Sequence, residues 1–232
     1  MYKRVVLKLS GEALASDGNT FDNAIIGNII SQVKSIVNMG VQVTMVVGGG
    51  NFWRGRSANP EMDRVKADHI GMLATVMNAM YLADFCRQKD LSAVVMTPFK
   101  VGTMTEEYSK DRAEGLLAEN KILIFAGGIG SPFFSTDTVT AIRAAELGAD
   151  AILFAKSIDG VYDSDPATNP NAKKFDEIPC VEIIEKNLKV IDLTAADICY
   201  SQKIPVILFG LAVENSLVKA ANGEKIGTIV TV

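Results

Sequence analysis

An α/β sandwich around a mostly parallel sheet is the fold this sequence predicts. Short apolar runs alternate along the chain with segments of helical periodicity, the pattern of strands joined by crossover helices. Three of the runs end abruptly in glycine-rich or small-residue turns: Ser10-Gly11, Gly48 to Asn51 and Gly127 to Ser131. In open α/β sheets, ligands bind outside the carboxyl ends of the strands, where such turns sit.

The elements follow in order. Val5 to Leu9 is an apolar strand interrupted by Lys8. Side chains alternate along a strand, so Val6, Lys8 and Ser10 share one face and Val5, Leu7 and Leu9 the other. Ile25, Ile26, Ile29, Ile30, Val33, Ile36 and Val37 recur at helical spacing, and Gly40 stands where a helix C-terminal glycine belongs. Val41 to Val47 is a buried strand. Ala67 to Gln88 is a long helix, apolar over a wide arc that includes Ile70, Leu73, Met77, Tyr81 and Phe85. It is either a core helix or a subunit interface. Ser92 to Met96 is a strand, Lys110 to Asn120 a helix, Ile122 to Ala126 a strand and Thr138 to Leu147 a helix closed by Gly148. Ala151 to Ala155 is a strand. Asp159 to Asn171 is turn-rich, a hairpin or a nucleotide-covering loop. Leu193 to Gln202 is helical, Val206 to Phe209 a strand, Ser216 to Ala221 a short helix and Thr228 to Val232 a last strand. The chain reads as a single domain, 1–232, with a soft boundary near Asp150 between two lobes.

Bulk properties narrow the function. The chain has 232 residues, 48% of them hydrophobic, and a net charge of −4, with a mean hydropathy of +0.21. That length buries a substantial core. No Lys/Arg run appears, which disfavours direct nucleic-acid binding. The three cysteines are far apart and His69 is the only histidine, so a zinc site and a disulfide framework are both disfavoured. A metal here is expected to be a hard cation held by oxygens. With neither a signal-peptide pattern nor an apolar run of spanning length, a cytoplasmic setting is expected.

A lysine inside an apolar strand is costly unless its ammonium meets an anion or reaches water. Beside Ser10-Gly11, whose backbone N–H groups can face a phosphate, Lys8 suits a polyphosphate site. An edge strand with a solvated lysine is the alternative. Three glycine turns with Lys8 and Arg54 favour a phosphate site. The common nucleotide fingerprints are missing: there is no GxxxxGK[ST], and both glycine clusters lack the third glycine of GxGxxG. The protein-kinase motifs are absent as well.

Lys8-Leu9-Ser10-Gly11-Glu12, Gly48-Gly49-Gly50-Asn51 with Trp53-Arg54-Gly55, and Asp159-Gly160-Val161-Tyr162 resemble the amino acid kinase superfamily. Met62-Asp63-Arg64 through Asp68 to Thr75, Gly130 to Thr138, and Leu188-Lys189-Val190-Ile191-Asp192 resemble its bacterial UMP kinase branch. The resemblance runs from Tyr2 to Thr228. It implies a three-layer sandwich, ATP as phosphoryl donor with Mg²⁺, UMP as acceptor, a homohexamer, GTP activation and UTP inhibition. The lobes 1–150 and 151–232 become the UMP and ATP sides.

By the same resemblance, Lys8, Leu9, Ser10 and Gly11 embrace the ATP phosphates. Gly49 meets UMP, Gly50 meets ATP, and Arg54 bridges the two phosphates. Asp68 takes the UMP ribose hydroxyls. Ile129, Gly130, Ser131, Pro132, Phe133, Phe134, Ser135 and Thr136 form the UMP loop. Thr136 or Thr138 reads the uracil edge, while Phe133 and Phe134 serve as wall and core. Asp137 and Asp192 are candidates to orient Lys8 or hold Mg²⁺, and Asp192 is alternatively a helix cap. Lys156, Tyr162 and Asp165 match the ATP side. The spacing at Lys156-Ser157-Ile158 is short, and Phe209-Gly210-Leu211-Ala212 departs from the usual Phe-Asn-Met-Asn. The competing expectations are a carbamate or amino-acid kinase and a non-catalytic nucleotide-binding or storage protein.

Overall fold

The computed structural model describes residues 1–16, 18–54, 59, 61–186, 188 and 190–232. Gly55 and Lys189 of the motifs above lie outside them. Among the described residues the chain forms nine strands in one sheet, in the order β4-β3-β5-β2-β1-β6-β8-β9-β7. The strands are β1 (Arg4–Leu9), β2 (Gln42–Val47), β3 (Ala93–Thr97), β4 (Glu106–Glu107), β5 (Ile122–Phe125), β6 (Ala151–Lys156), β7 (Glu177–Pro179), β8 (Val206–Gly210) and β9 (Thr228–Thr231). Every adjacent pair is parallel except β8 with β9.

Helices cover both faces. They are α1 (Asn23–Asn38), α2 (Arg64–Gln88), α3 (Lys110–Ala118), α4 (Thr136–Glu146), α5 (Cys180–Glu185), α6 (Leu193–Gln202) and α7 (Ser216–Ala221). Residues of α1, α2 and α7 pack with Val5, Leu7 and Leu9 on one side of the sheet. Residues of α3, α4, α5 and α6 pack with Val6 on the other. The alternation expected along β1 therefore holds, and Lys8 shares the α4 side with Val6. Cys86 is buried on the first side, and Cys180 and Cys199 on the second.

Capping explains where the helices start. Asp22 accepts from the Ala24 and Ile25 N–H groups at α1. Asp63 accepts from the Lys66 N–H at α2, and Ser135 from the Asp137 N–H at α4. α1 ends before Gly40, whose φ is +82°. The Asp159 to Asn171 stretch is the far end of a hairpin: Tyr162 bridges Lys174 in antiparallel fashion, and the Phe175 N–H donates to the Val161 carbonyl at 2.8 Å.

Four elements were not expected: a short 3-10 turn at Gly11–Leu14, the two-residue β4, β7 and α5. The apolar arc of α2 divides. Tyr81 and Phe85 pack partly buried against the core, while Ile70, Leu73, Met77 and Met80 are exposed large hydrophobics. Their spacing puts those four on one outward face. Among the described residues no helix is long and apolar enough to cross a membrane.

Candidate active site

The chain leaves β1 for β2, one way along the sheet, and leaves β6 for β7 at the opposite edge, the other way. Between β1 and β6 lies the point where connections diverge, the place where doubly wound sheets open a crevice. A lysine stands near the carboxyl end of each of these two strands. Lys8, 7% exposed, projects toward α4. Its Nζ lies 2.9 Å from Asp137 Oδ1, in the first turn of that helix. Lys156 Nζ lies 3.9 Å from the other oxygen, Asp137 Oδ2, and donates to the Val190 carbonyl. Both ammonium groups approach the Phe154 ring, at 5.8 and 5.5 Å from its centroid. Burial pushes the Lys156 pKa down and Lys8 adds to that, while Asp137 opposes it. Two cations thus share one carboxylate at a positive helix end, poised for a further anion.

The glycine turns close around this point. A Cβ on Gly11 would stand 2.4 Å from the Gly50 backbone nitrogen and 2.9 Å from that of Asn51. Only glycine lets the turns after β1 and β2 come this close. Arg54, downstream of that contact, pairs with Glu12 through an NH2 to Oε1 distance of 3.1 Å, both partners being well exposed.

Two clefts flank the lysine pair. One, of about 590 Å³ including its open mouth, is lined by Gly49, Trp53, Asp68, Met72, Phe134 and Thr136 among others. The other, of about 800 Å³ on the same measure, is lined by Ser10, Glu12, Ile25, Lys156, Ser157 and Leu211 among others. Thr136 of the first cleft is the chain neighbour of Asp137, the partner of both lysines, and Lys156 itself lines the second. In the first cleft, Asp68 Oδ2 accepts from the Phe133 N–H at 2.8 Å, and Oδ1 from Arg64 Nε at 2.9 Å. Burial would raise the Asp68 pKa, but these two donors hold it below the ordinary carboxylate value. Phe133 has φ +74°, a left-handed conformation that side chains disfavour. The bond to Asp68 pins that turn.

Several expected roles change. Thr138 is buried, 2% exposed, and its hydroxyl donates to Asp192 Oδ1 at 2.9 Å. It stands behind the cleft, and Thr136 lines it instead. Asp192 does not meet Lys8. It caps α6 by accepting from the Ala195 N–H at 2.8 Å, and it binds Ser135 and the Thr138 N–H, joining the starts of α4 and α6. Phe133 is 67% and Phe134 48% exposed, so neither is core, although Phe134 is a cleft wall. Ser131 is exposed, and Ile129 packs partly buried against the α4-side core. Gly130 turns back to the Gly127 carbonyl through its N–H and packs on Pro98, while Pro132 is half-buried.

On the other side, Leu9 is fully buried in β1 and only its backbone can face a ligand. Tyr162 and Asp165 are not among the residues lining either cleft. The Tyr162 hydroxyl donates to Asp159 at 2.8 Å, and Asp165 accepts from the Ala167 N–H, bracing its own turn. Leu211 and Ala212, from the divergent Phe209 to Ala212 stretch, line the second cleft. Trp53 was not expected as a site residue. Its indole N–H donates to the Ala67 carbonyl at 2.9 Å, fixing the ring at the cleft wall.

Comparison with known proteins agrees with this geometry. The amino acid kinase family profile matches residues 3–210. A crystal structure of a UMP kinase from Bacillus anthracis is 37% identical, with a TM-score of 0.96 over 99% of this chain and 96% of that one. A UMP kinase from Ureaplasma parvum is 35% identical, with a TM-score of 0.93 over the whole of both chains. A uridylate kinase from Archaeoglobus fulgidus is 30% identical, with a TM-score of 0.78 over 98% of this chain and 99% of that one. With its paired lysines, its glycine turns and a profile match across most of its length, the chain belongs to the amino acid kinase family.

Proposed function

We propose that this chain transfers a phosphoryl group from ATP to UMP, giving ADP and UDP. The observation that carries this is the convergence of Lys8 and Lys156 on Asp137, between a cleft holding Asp68 and a cleft lined by Ser10 and Lys156. The similar chains of known activity are UMP and uridylate kinases.

Phosphoryl transfer needs positioning and charge stabilisation rather than a covalent nucleophile. Lys8 reaches the transferring group from the strand end. Asp137 holds Lys8 and Lys156 in place. Ser10, Gly11 and Gly50 present backbone N–H groups to the donor phosphates, with Leu9 leading into that turn. Arg54 exchanges its exposed contact with Glu12 for phosphate oxygens, a pairing its forked guanidinium suits. Asp68 accepts the acceptor's ribose hydroxyls while Gly49, Phe134 and Thr136 wall the rest of the nucleotide. Residues 1–150 supply the acceptor side, and the donor side is shared between Ser10, Glu12 and Ile25 of that lobe and Lys156, Ser157, Leu211 and Ala212 of 151–232, with Tyr162 and Asp165 beyond its lining.

Among the described residues no group of three or more His, Cys, Asp or Glu side chains stands together to cage a metal. Mg²⁺ is taken to arrive on the triphosphate, since it keeps its waters and takes few protein ligands. When bound, it would supply positive charge that offsets the charge of the phosphates held by Lys8, Ser10 and Gly11. The exposed row Ile70, Leu73, Met77 and Met80 supports assembly through α2, and a homohexamer under GTP activation and UTP inhibition, in the cytoplasm, completes the proposal. The test is ADP release with Mg·ATP against UMP, CMP, dTMP, carbamate and acetylglutamate. Turnover with UMP alone is expected. Turnover with carbamate or acetylglutamate overturns the acceptor assignment. Binding of UMP without turnover makes the chain a nucleotide-binding protein.

A further inference from the structure

α2 carries three polar side chains, Asp68, Thr75 and Asn78, on a face directed at the sheet's carboxyl edge. Asn78 is 0% and Thr75 4% exposed, in a helix otherwise packed through apolar groups. Each buried polar atom needs a partner, and apart from the Met72 carbonyl within α2 the partners of Thr75 and Asn78 lie in the turns after β2 and β5. Asn78 Nδ2 donates to the Gly48 carbonyl at 2.6 Å and to Asn51 Oδ1 at 2.7 Å. Asn78 Oδ1 accepts from Asn51 Nδ2 at 3.0 Å. The two amides form a closed reciprocal pair, and Asn51 extends it to the Thr20 carbonyl at 3.0 Å.

One helical turn earlier, the Thr75 hydroxyl donates to the Met72 carbonyl and accepts from the Gly127 N–H, each at 2.7 Å. Asp68, two turns before Thr75, accepts from the Phe133 N–H of the same β5–α4 connection. One helix therefore holds the turn after β2 through Asn78 and the turn after β5 through Thr75 and Asp68. Any axial slip of α2 would move both turns together.

We infer that Asn78 and Thr75 are positioning residues for phosphoryl transfer, fixing the separation of the Gly48–Asn51 and Gly127–Phe133 turns from a single helix. The inference rests on the UMP kinase activity proposed above. Neither side chain needs to touch the reacting atoms. Small displacements of positioned groups cost large factors in rate, whereas a purely structural pair would affect stability alone.

The experiment compares Asn78→Leu, which keeps the size and loses every hydrogen bond, with Thr75→Val and Thr75→Ser. Thermal melts locate each Tm, and kcat and KM for UMP are then measured well below it. Asn78→Leu is expected to lower kcat by about tenfold or more in folded protein. Thr75→Val is expected to lower kcat/KM for UMP by about tenfold, and Thr75→Ser, which keeps the hydroxyl, to recover to within about threefold of the parent. A folded Asn78→Leu with parental kcat, or Thr75→Val and Thr75→Ser behaving alike, overturns the inference. If Asn78→Leu does not fold, the Val/Ser pair decides it alone. A parent chain that never phosphorylates UMP sinks the activity proposal instead. UMP affinity by calorimetry in the Val/Ser pair then decides the positioning role, the same tenfold loss and recovery being expected.

Discussion

Replacing Lys8 by methionine tests the centre of the site, because it removes the cation while keeping the buried stem. The two roles of Lys8 carry different magnitudes. As a preorganised donor to charge developing on the phosphoryl group, it should supply about 3–4 kcal/mol, so kcat should fall by roughly 10²–10³. As half of a buried ion pair, its loss would cost about 3–5 kcal/mol of stability if Asp137 were left alone. Asp137 is not left alone, since Lys156 stays 3.9 Å away. The stability cost then sits at or below the lower end, about 3 kcal/mol, or a fall in Tm of about 6–12 °C for a chain of this size. The assay is ADP release coupled to NADH oxidation under saturating Mg·ATP and UMP, beside a thermal melt of the same sample. A folded Lys8→Met enzyme with kcat within about threefold of the parent would refute the placement of Lys8 on the transferring group.

Three further outcomes follow from the geometry. Asp68→Asn should raise KM for UMP by about tenfold or more, the worth of a charged hydrogen bond. Because the Asp68 pKa is depressed on folding, its stabilising effect is present above about pH 4 and is lost as pH falls through the folded value. The Tm gap between parent and Asp68→Asn should therefore narrow in acid, and an unchanged gap at pH 3 and pH 7 would contradict the ion pairing. Gly11→Ala forces a Cβ to within 2.4 Å of the Gly50 backbone nitrogen. It should cost about 1–3 kcal/mol in chemical denaturation, together with most of the activity; a parental midpoint and rate would show that the turns can part freely. Lys156→Met should leave Tm unchanged or raise it, since it removes the cost of burying that ammonium, while lowering kcat. A lower Tm would mean the ion pair with Asp137 outweighs desolvation.

Most of the sheet was legible because its strands are continuous apolar runs ending in glycine. What failed to register had no such pattern. β4 is two glutamates beside β3, and β7 ends on a proline at the sheet's far edge. α5 is six residues that no side chain caps. Lys8 and the glycine turns stood out because a charge or a glycine in an apolar setting asks for a reason, whereas Asp68, an acid near a helix start, was singled out only through the resemblance. The pairing of Lys8 with Asp137 was legible only as one of two candidates, Asp137 or Asp192, that the resemblance offered, since 129 positions separate Lys8 from Asp137 and only the return of α4 over β1 joins them. Thr138 and Thr136 differ by two positions, and the helix rotation that buries one and exposes the other depends on where Ser135 caps. Asn78 did leave a trace: an amide at a helical position whose neighbours Thr75, Ala79 and Leu82 are all core-facing.

The three buried thiols give the molecule a chemical clock. Burial pushes the pKa of Cys86 and Cys199 up to about 12, far from the reactive thiolate. Cys86 is on the buried face of α2 on one side of the sheet, and Cys180 and Cys199 are on the buried faces of α5 and α6 on the other. A thiol reagent that waits for exposure would therefore report, residue by residue in a mass spectrum, which side of the sandwich opens first. The same silence means that a single cysteine introduced at an exposed site such as Met104 would accept a dye or spin label without removal of the native three.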